Sequence, residues 1–149
     1  MDTKQLESYM TKDPEIAKLY GGVVPKDMLP LRPPRPSLYI VNQDTSDKAG
    51  SHWIVVFIGD REQPAEYFDP LGKEPDKDFK KYLTCQSKSY MYNTQRCQNY
   101  MSNLCGHYCL FYCYFRARGH AMQSILKMFD KNDLMHNDQM VYSFYKYTC

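Results

Sequence analysis

The sequence predicts an α+β fold, in which a small antiparallel sheet packs on a buried central helix. β-rich runs occur in the first half of the chain and helical patterns fill the second half, an order typical of α+β domains. The run 105–118, CGHYCLFYCYFRAR, has helical length and is apolar on nearly every side, as in helices buried inside a protein. With 149 residues, we expect a single domain spanning 1–149.

The sheet is predicted from three apolar runs in close succession: 38–41, 52–58 and 66–69. The middle run is continuous and β-branched, which favours a buried central strand. Loops join the runs, beginning with the polar segment 42–50, so we expect an antiparallel meander. The preceding residues 1–37 are rich in proline, which fixes φ and disfavours helix in the residue before it. We expect them to form an ordered but irregular strap on the domain, with a short helix over 4–10.

The elements of the second half are predicted from apolar residues at helical spacing. We expect a short strand at 89–92 and helices at 76–83, 105–118, 121–129 and from about 138 to 146. Ser102 or Asn103 is expected to cap the buried helix, and Asn137 or Asp138 the last one.

Composition and charge argue against several functions. No apolar run approaches the ~20 residues that span a bilayer, and the polar start MDTKQLESYM differs from a signal peptide. The net charge of +2 comes without a dense Lys/Arg stripe, so it gives little support for nucleic-acid binding. Without a signal peptide, we expect the six cysteines to be mostly free thiols in a reducing intracellular compartment.

Cys105 has the features of an activated nucleophile. It begins the buried helix, where backbone N–H groups and the helix dipole favour a thiolate. Gly106 follows it, which leaves room for a substrate carbonyl to approach. Gln98 lies in the loop that enters the helix, seven residues earlier, and its side-chain N–H can point to the same place as the backbone N–H of Cys105. Two such donors would form an oxyanion hole.

His52 is the candidate base, because it opens the central strand just after Gly50 and Ser51, which we expect to end a mobile loop. Asp69 ends the next predicted strand and can orient the imidazole through Nδ1–H. His107 lies on the same helix as Cys105, about 200° around the helical wheel, and so points away from the sulfur. The other two histidines are expected at the surface.

Each of these residues also has an ordinary structural interpretation. A lone cysteine in an apolar helix is usually core, a histidine before a strand is usually a polar end, and Asp-Pro is usually a turn. A further alternative is a non-enzymatic metal or structural module with Cys105, Cys109, Cys113 and His107 as ligands. Its Cys-x₃-Cys-x₃-Cys spacing differs from the paired knuckles of zinc sites. On the residues alone, a cysteine hydrolase and these alternatives stay open.

Three ordered blocks resemble the adenovirus-type (adenain-like) cysteine proteases. The stretch QNYMSNLCG, 98–106, is similar to their Gln-x-x-x-Ser-x-x-Cys-Gly block. His52-Trp53 is similar to their His-Trp pair, and 68–72, FDPLG, resembles their acidic-Pro-x-Gly segment, with Asp where the adenovirus enzyme has Glu. The compact form is most similar to the proteases of Polinton or Maverick elements or of small animal DNA viruses.

The resemblance implies a papain-like fold in permuted order and cleavage of viral precursor proteins after small residues, often Gly. In it His52 is the base, Asp69 orients it, Cys105 attacks and Gln98 completes the oxyanion hole. Trp53 would pack beside the imidazole, and its interpretation as ordinary core is equally open. The partner would be a protein substrate in a virion or in the host nucleus or cytoplasm, and we expect a monomer.

Two properties of the adenovirus enzyme are not transferred. That enzyme uses a peptide cofactor, disulfide-linked to a cysteine upstream of its Gln, and DNA. Cys85 lies near that position but out of register, so the sequence itself requires no cofactor, and a peptide or DNA activator is suggested by the family analogy alone. The nearest alternative function is a deconjugating protease for ubiquitin-like modifiers, because such enzymes share the order His, Asp, Gln, Cys and also cut after Gly.

Overall fold

A five-stranded mixed sheet forms the centre of the chain in a computed structural model, which describes residues 1–48 and 51–149. The strands follow the chain order β1-β2-β3-β4-β5 across the sheet. Their bounds are β1 Tyr20–Pro25, β2 Ser37–Asn42, β3 Trp53–Ile58, β4 Ala65–Phe68 and β5 Tyr90–Tyr92. The pairs β2–β3 and β3–β4 are antiparallel, which confirms the predicted meander.

Both edges of the sheet differ from the prediction, because β1 pairs with β2 in parallel and β5 pairs with β4 in parallel. A wholly antiparallel sheet is therefore wrong. Parallel neighbours need a crossover connection instead of a tight hairpin. The segment containing α3 provides it between β4 and β5, and an extended segment provides it between β1 and β2.

Six α-helices and one 3-10 turn surround this sheet in the part of the chain that the structure describes. They are α1 Thr3–Lys12, α2 Pro14–Ala17, the 3-10 turn Lys26–Met28, α3 Lys77–Gln86, α4 Cys105–Ala117, α5 Met122–Leu126 and α6 Leu134–Thr148. The four predicted helices of the second half are confirmed, with α5 shorter and α6 longer than expected. None of the helices among the described residues has the length and apolar character to cross a membrane.

The N-terminal segment is more regular than the irregular strap that we expected, because it also forms α2 and β1, while the predicted short helix over 4–10 is confirmed as part of α1. α1 begins with a capping box, in which the Asp2 side chain accepts from the Gln5 backbone N–H and the Gln5 side chain accepts from the Asp2 backbone N–H. Leu6 and Met10 of this helix are fully buried in the core. Pro14 lies in the first turn of α2, where a backbone N–H would have no acceptor within the helix, so proline costs no hydrogen bond there. Only the region before β2 stays extended, as its prolines predict.

α4 is the buried central helix that the sequence predicts. It packs on β3 and against α6, and its ring of Tyr112 stacks on Phe68 of β4 with centroids 4.5 Å apart. The opposite face of the sheet is covered by α3, where Phe79 and Leu83 join a second apolar cluster. The sheet therefore lies between α3 on one side and the α1, α4 and α6 layer on the other.

A buried ion pair fixes α4 over the sheet. Arg116 donates from Nε and Nη2 to the Glu66 carboxylate at 2.9–3.1 Å, and Tyr112 donates its hydroxyl to the same group at 2.7 Å. Breaking a buried pair by removing one partner is strongly destabilising. The pair therefore ties the C-terminal half of α4 to β4 and so restrains where the N-terminus of the helix lies.

The expected helix caps are wrong at both sites. Leu104 precedes α4, and no side chain caps the helix, while Ser102 accepts from the backbone N–H of Leu104 at 3.1 Å. α6 starts earlier than expected and is capped by Asp133, not by Asn137 or Asp138. An N-terminus without a side-chain cap leaves its first N–H groups available to other acceptors. At α4 this feature coincides with the candidate nucleophile.

Candidate active site

The topology brings the three candidate catalytic residues together at the end of the sheet where β3 begins and β4 ends. His52 directly precedes β3, and Asp69 directly follows β4. Because these strands are antiparallel, with Val55 opposite Phe68, the start of one lies beside the end of the other. Cys105 is the first residue of α4, which packs on β3. The loop residue Gly50, where we expected mobility, lies outside the described residues.

His52 and Asp69 are directly hydrogen-bonded. The Nε2 atom of His52 lies 2.7 Å from Oδ1 of Asp69, and the Asp69 side chain is completely buried. The contact therefore uses Nε2, and the expectation that Asp69 would orient the imidazole through Nδ1 is wrong. The same imidazole is hydrogen-bonded to Cys105. This arrangement leaves Nδ1 to face the sulfur of Cys105.

Cys105 and His52 form a hydrogen-bonded pair whose pKa values move in opposite directions. Burial raises the pKa of the Cys105 thiol, but the hydrogen bond from His52 and the backbone N–H groups of Trp53 and Gly106 outweigh it and hold that pKa below its ordinary value. Burial lowers the pKa of His52, yet the hydrogen bonds to Asp69 and Cys105 raise it to about 9. The two shifts agree on one state, a thiolate beside an imidazolium.

The carboxylate of Asp69 is held by its own turn as well as by the imidazole. The backbone N–H of Leu71 donates to Oδ1 at 2.9 Å. The side chain of Asn93 is hydrogen-bonded to both the N–H and the carbonyl of Asp69. Sequence reasoning missed Asn93; the available signal was its position directly after the predicted strand 89–92, and only the parallel pairing of that strand brings it here.

Gln98, the predicted oxyanion donor, shares a cavity with Cys105. Its side chain is almost fully buried, lines the same cavity as Cys105, and donates from Nε2 to the Ser102 carbonyl at 3.0 Å. The amide nitrogen carries two hydrogens, so one remains for an acceptor in the cavity. The backbone N–H groups of Cys97 and Gln98 both donate to the Pro70 carbonyl, at 2.9 and 3.0 Å. The loop of Gln98 is thus fastened to the residue that follows Asp69.

The candidate site opens into a cavity of about 840 Å³. Its lining includes His52, Gln98 and Cys105 but not the buried Asp69, and it continues along β1, the loop after β2, and the N-terminus of α1. Examples of the lining residues are His52, Trp53, Gln98, Tyr100, Cys105, Val24, Asp44 and Met1. A cleft of this size exceeds a single side chain and suits an extended peptide segment.

Trp53 and Gly106 have other neighbours than expected. The indole Nε1 of Trp53 donates to the Met1 carbonyl at 3.1 Å, while the residue lines the cavity beside His52. Gly106 is buried, and a Cβ there would lie 3.0 Å from Cβ of Met1 and 3.4 Å from Cδ2 of Leu6. The missing side chain therefore makes room for the N-terminal segment. That it also makes room for a substrate carbonyl stays a prediction.

The residues of the alternative metal module do not converge. Cys109 and Cys113 are fully buried, and burial raises the pKa of both thiols, as expected for packing residues. The His107 ring packs edge-on against Tyr145 with centroids 5.0 Å apart. Across residues 1–48 and 51–149, three or more His, Cys, Asp or Glu side chains nowhere cluster as metal ligands would. Cys109 and Cys113 are therefore core residues of α4, whereas Cys105, the first residue of the helix, lines the cavity.

No protein-family model matches the sequence, and no curated protein matches it either. Ten chains of solved structures do match, and two of them are ASFV pS273R protease. One of these has a TM-score of 0.60 at 14% identity and is matched over 87% of this chain and 63% of its own length. The other, in selenomethionine form, has a TM-score of 0.51 at 20% identity over 69% of this chain and 43% of its own.

The chain thus spans less than two thirds of the length of these two proteins. At 14% and 20% identity the likeness is one of fold. The predicted α+β class, with a buried central helix against the sheet, is confirmed by it. The chain therefore has an α+β fold similar to that of ASFV pS273R protease.

Proposed function

We propose that this protein is a cysteine endopeptidase, with Cys105 as nucleophile, His52 as base and acid, and Asp69 as the group that orients His52. One observation carries the proposal: the Cys105 thiol is hydrogen-bonded to an imidazole that lies 2.7 Å from a buried carboxylate, at the wall of an open cavity. A nucleophile, a base and an orienting group in this order are what acyl transfer requires.

In the first half of the proposed reaction the thiolate of Cys105 attacks the carbonyl carbon of the scissile peptide bond. The oxygen of that carbonyl becomes an oxyanion, which accepts from the Gln98 side-chain N–H and the Cys105 backbone N–H. The imidazolium of His52 then gives its Nδ1 proton to the leaving nitrogen. The carbon–nitrogen bond breaks, the amine departs, and a thioester to Cys105 remains.

The second half reverses these roles. The neutral His52 takes a proton from water at Nδ1, and the resulting hydroxide attacks the thioester carbon. The oxyanion forms in the same hole and collapses, which expels the thiolate and releases the carboxylic acid. Asp69 keeps its charge throughout and stabilises the imidazolium that appears in both halves.

The substrate that we propose is a viral or virus-like precursor protein, cut at small-residue sites of the Gly type. The support is the resemblance of the three sequence blocks to adenovirus-type proteases, together with the fold shared with a protease of ASFV. The site in turn suits extended chains, because its cavity continues from Cys105 toward β1 and the loop after β2. Free thiols at all six cysteines accord with action in the reducing compartments of an infected cell or in a virion.

The decisive experiment offers the purified protein two substrate sets, Gly-containing peptides from precursor proteins and fusions to ubiquitin-like modifiers. We expect cleavage of the peptides, loss of cleavage in Cys105→Ala, and wild-type cleavage in Cys85→Ala. Cys85 is the matched control, because it is an exposed thiol on α3 and does not line the cavity. Cleavage of the fusions alone would replace the proposed function by deconjugation. Turnover of neither set, or turnover that survives in Cys105→Ala, would contradict the proposed site.

A further inference from the structure

Asn93 directly follows β5, the edge strand that pairs in parallel with β4. β4 and β5 run side by side in the same direction, with Tyr67 opposite Tyr92. Neighbouring parallel strands have their C-terminal ends side by side, so the residues that follow β4 and β5 meet there. Asp69 follows the first strand and Asn93 the second, and both are buried.

The Asn93 amide makes the three hydrogen bonds that fix its orientation. Its Oδ1 accepts from the backbone N–H of Asp69 at 2.9 Å. Its Nδ2 donates to the carbonyl of Asp69 at 2.7 Å and to the carbonyl of Gln95 at 3.0 Å. Exchanging the amide oxygen and nitrogen would oppose donor to donor and acceptor to acceptor, so only one orientation satisfies the site.

These contacts act on the backbone of Asp69 from both sides of its Cα. The N–H and the carbonyl flank that atom, and the direction of the Cα–Cβ bond follows from where they are held. The carboxylate at the end of this short side chain receives the Leu71 N–H and the His52 imidazole on one oxygen, Oδ1. A small rotation of the Asp69 backbone would therefore move Oδ1 away from His52.

We propose that Asn93 is a positioning residue for the Asp69 carboxylate, which it aims at His52 by holding the backbone of Asp69 in place. The inference rests on the proposed function of the Cys105 site. It adds a residue that does not line the cavity and whose side-chain hydrogen bonds go to Asp69 and Gln95, not to His52 or Cys105. Asn93 acts through Asp69, and its effect reaches the thiol through His52.

The test is the pH dependence of Cys105 alkylation by iodoacetamide in Asn93→Ala, followed by mass spectrometry of the labelled peptide. Without these hydrogen bonds, Asp69 stabilises the imidazolium less well, and the thiolate loses part of its counter-charge. We expect the midpoint of labelling to move to higher pH by about one unit, which is about tenfold slower labelling on the rising limb. On a peptide substrate, kcat should fall by about tenfold while KM stays near the wild-type value.

Asn137→Ala is the matched control. Asn137 is also buried and makes the same three kinds of bond, accepting from the Asp130 N–H at 2.8 Å and donating to the carbonyls of Asp130 and Cys97 at 2.7 and 3.0 Å. It does not touch Asp69. A purely structural asparagine should cost stability to denaturant at either position, but only Asn93→Ala should move the labelling midpoint.

The outcomes separate the inference from the function on which it rests. Preferential labelling of Cys105 in the wild-type protein, with an unmoved midpoint in folded Asn93→Ala, would overturn the positioning role alone. Equal labelling of Cys105 and the exposed cysteines in the wild-type protein would overturn the activated thiol and the inference with it. If Asn93→Ala does not fold, Asn93→Ser, which keeps a polar group at the site, takes its place. A pH midpoint of Cys105 labelling equal to that of the wild-type protein would then overturn the positioning role.

Discussion

Replacing His52 by alanine is the sharpest perturbation of the proposed pair. Cys105 is buried enough that its surroundings favour the neutral thiol, and its pKa is nonetheless below the ordinary value because of His52 and two backbone N–H groups. Removal of the imidazole leaves burial and the N–H groups in place. We therefore expect the pKa of the thiol to be higher in the variant than in the wild-type protein, so that the variant holds less thiolate at pH 6.

The size of the effect follows from the thiolate population. A thiol at the ordinary pKa of 9.0 is about 0.1% ionised at pH 6, so the loss of thiolate in the variant has an upper bound of ~10³-fold. A more basic thiolate is also more nucleophilic, which returns a factor of about ten. The net expectation is that labelling of Cys105 at pH 6 is slower in the variant, by up to ~10²-fold.

The assay is a time course of iodoacetamide labelling at pH 6, with each of the six cysteines quantified by mass spectrometry. His107→Ala is the control, since His107 lies on the same helix but packs on Tyr145, away from the sulfur. We expect wild-type labelling of Cys105 in that variant. The reasoning is refuted if His52→Ala labels Cys105 as fast as the wild-type protein does, or if the exposed Cys85 reacts first in the wild type.

Three further predictions address the remaining parts of the site. Turnover should fall as the pH rises above about 9, because His52 then loses the Nδ1 proton that the leaving amine needs, and a kcat profile from pH 5 to 10 would reveal this limb. Gln98→Ala should lower kcat by ~10²-fold with little change in KM, as measured on a cleaved peptide, since one oxyanion donor is lost. Gly72→Ala should lower the free energy of unfolding by about 1–3 kcal/mol in a urea titration, because Gly72 has φ +72° and a Cβ there would lie 2.8 Å from a backbone oxygen. An unchanged midpoint in that titration would contradict the strain that we assign to the turn.

The centre of the fold could be predicted because its signals are local. β3 is a continuous β-branched run, and α4 is apolar around its whole circumference, so each element is readable without knowing its neighbours. The candidate residues His52, Asp69 and Cys105 lie at the ends of such elements. Two antiparallel strands and one helix then suffice to place them together.

The edges of the sheet could not be predicted, because their pairing depends on contacts distant in sequence. β1 has the sequence YGGVVP, and nothing local in Gly-Gly followed by two valines and a proline indicates a parallel partner. The same holds for β5, whose pairing with β4 brings Asn93 to Asp69. The contacting nitrogen of His52 was missed as well, since the orientation of a ring is not encoded in the spacing of residues along the chain.

The N-terminal segment shows how these non-local contacts enter the site itself. Gly106 is next to the nucleophile, yet the atoms nearest to its missing side chain belong to Met1 and Leu6. Leu6 is fully buried in the same apolar cluster as the body of α4, and the Met1 carbonyl accepts from the indole of Trp53 at the cavity wall. One wall of the cleft is therefore continuous with the hydrophobic core. A side chain at position 106 would collide with Met1 and Leu6 and displace the backbone N–H that Gly106 donates to the Cys105 sulfur. Glycine at this position therefore allows α1 to pack beside the thiolate without disturbing that hydrogen bond.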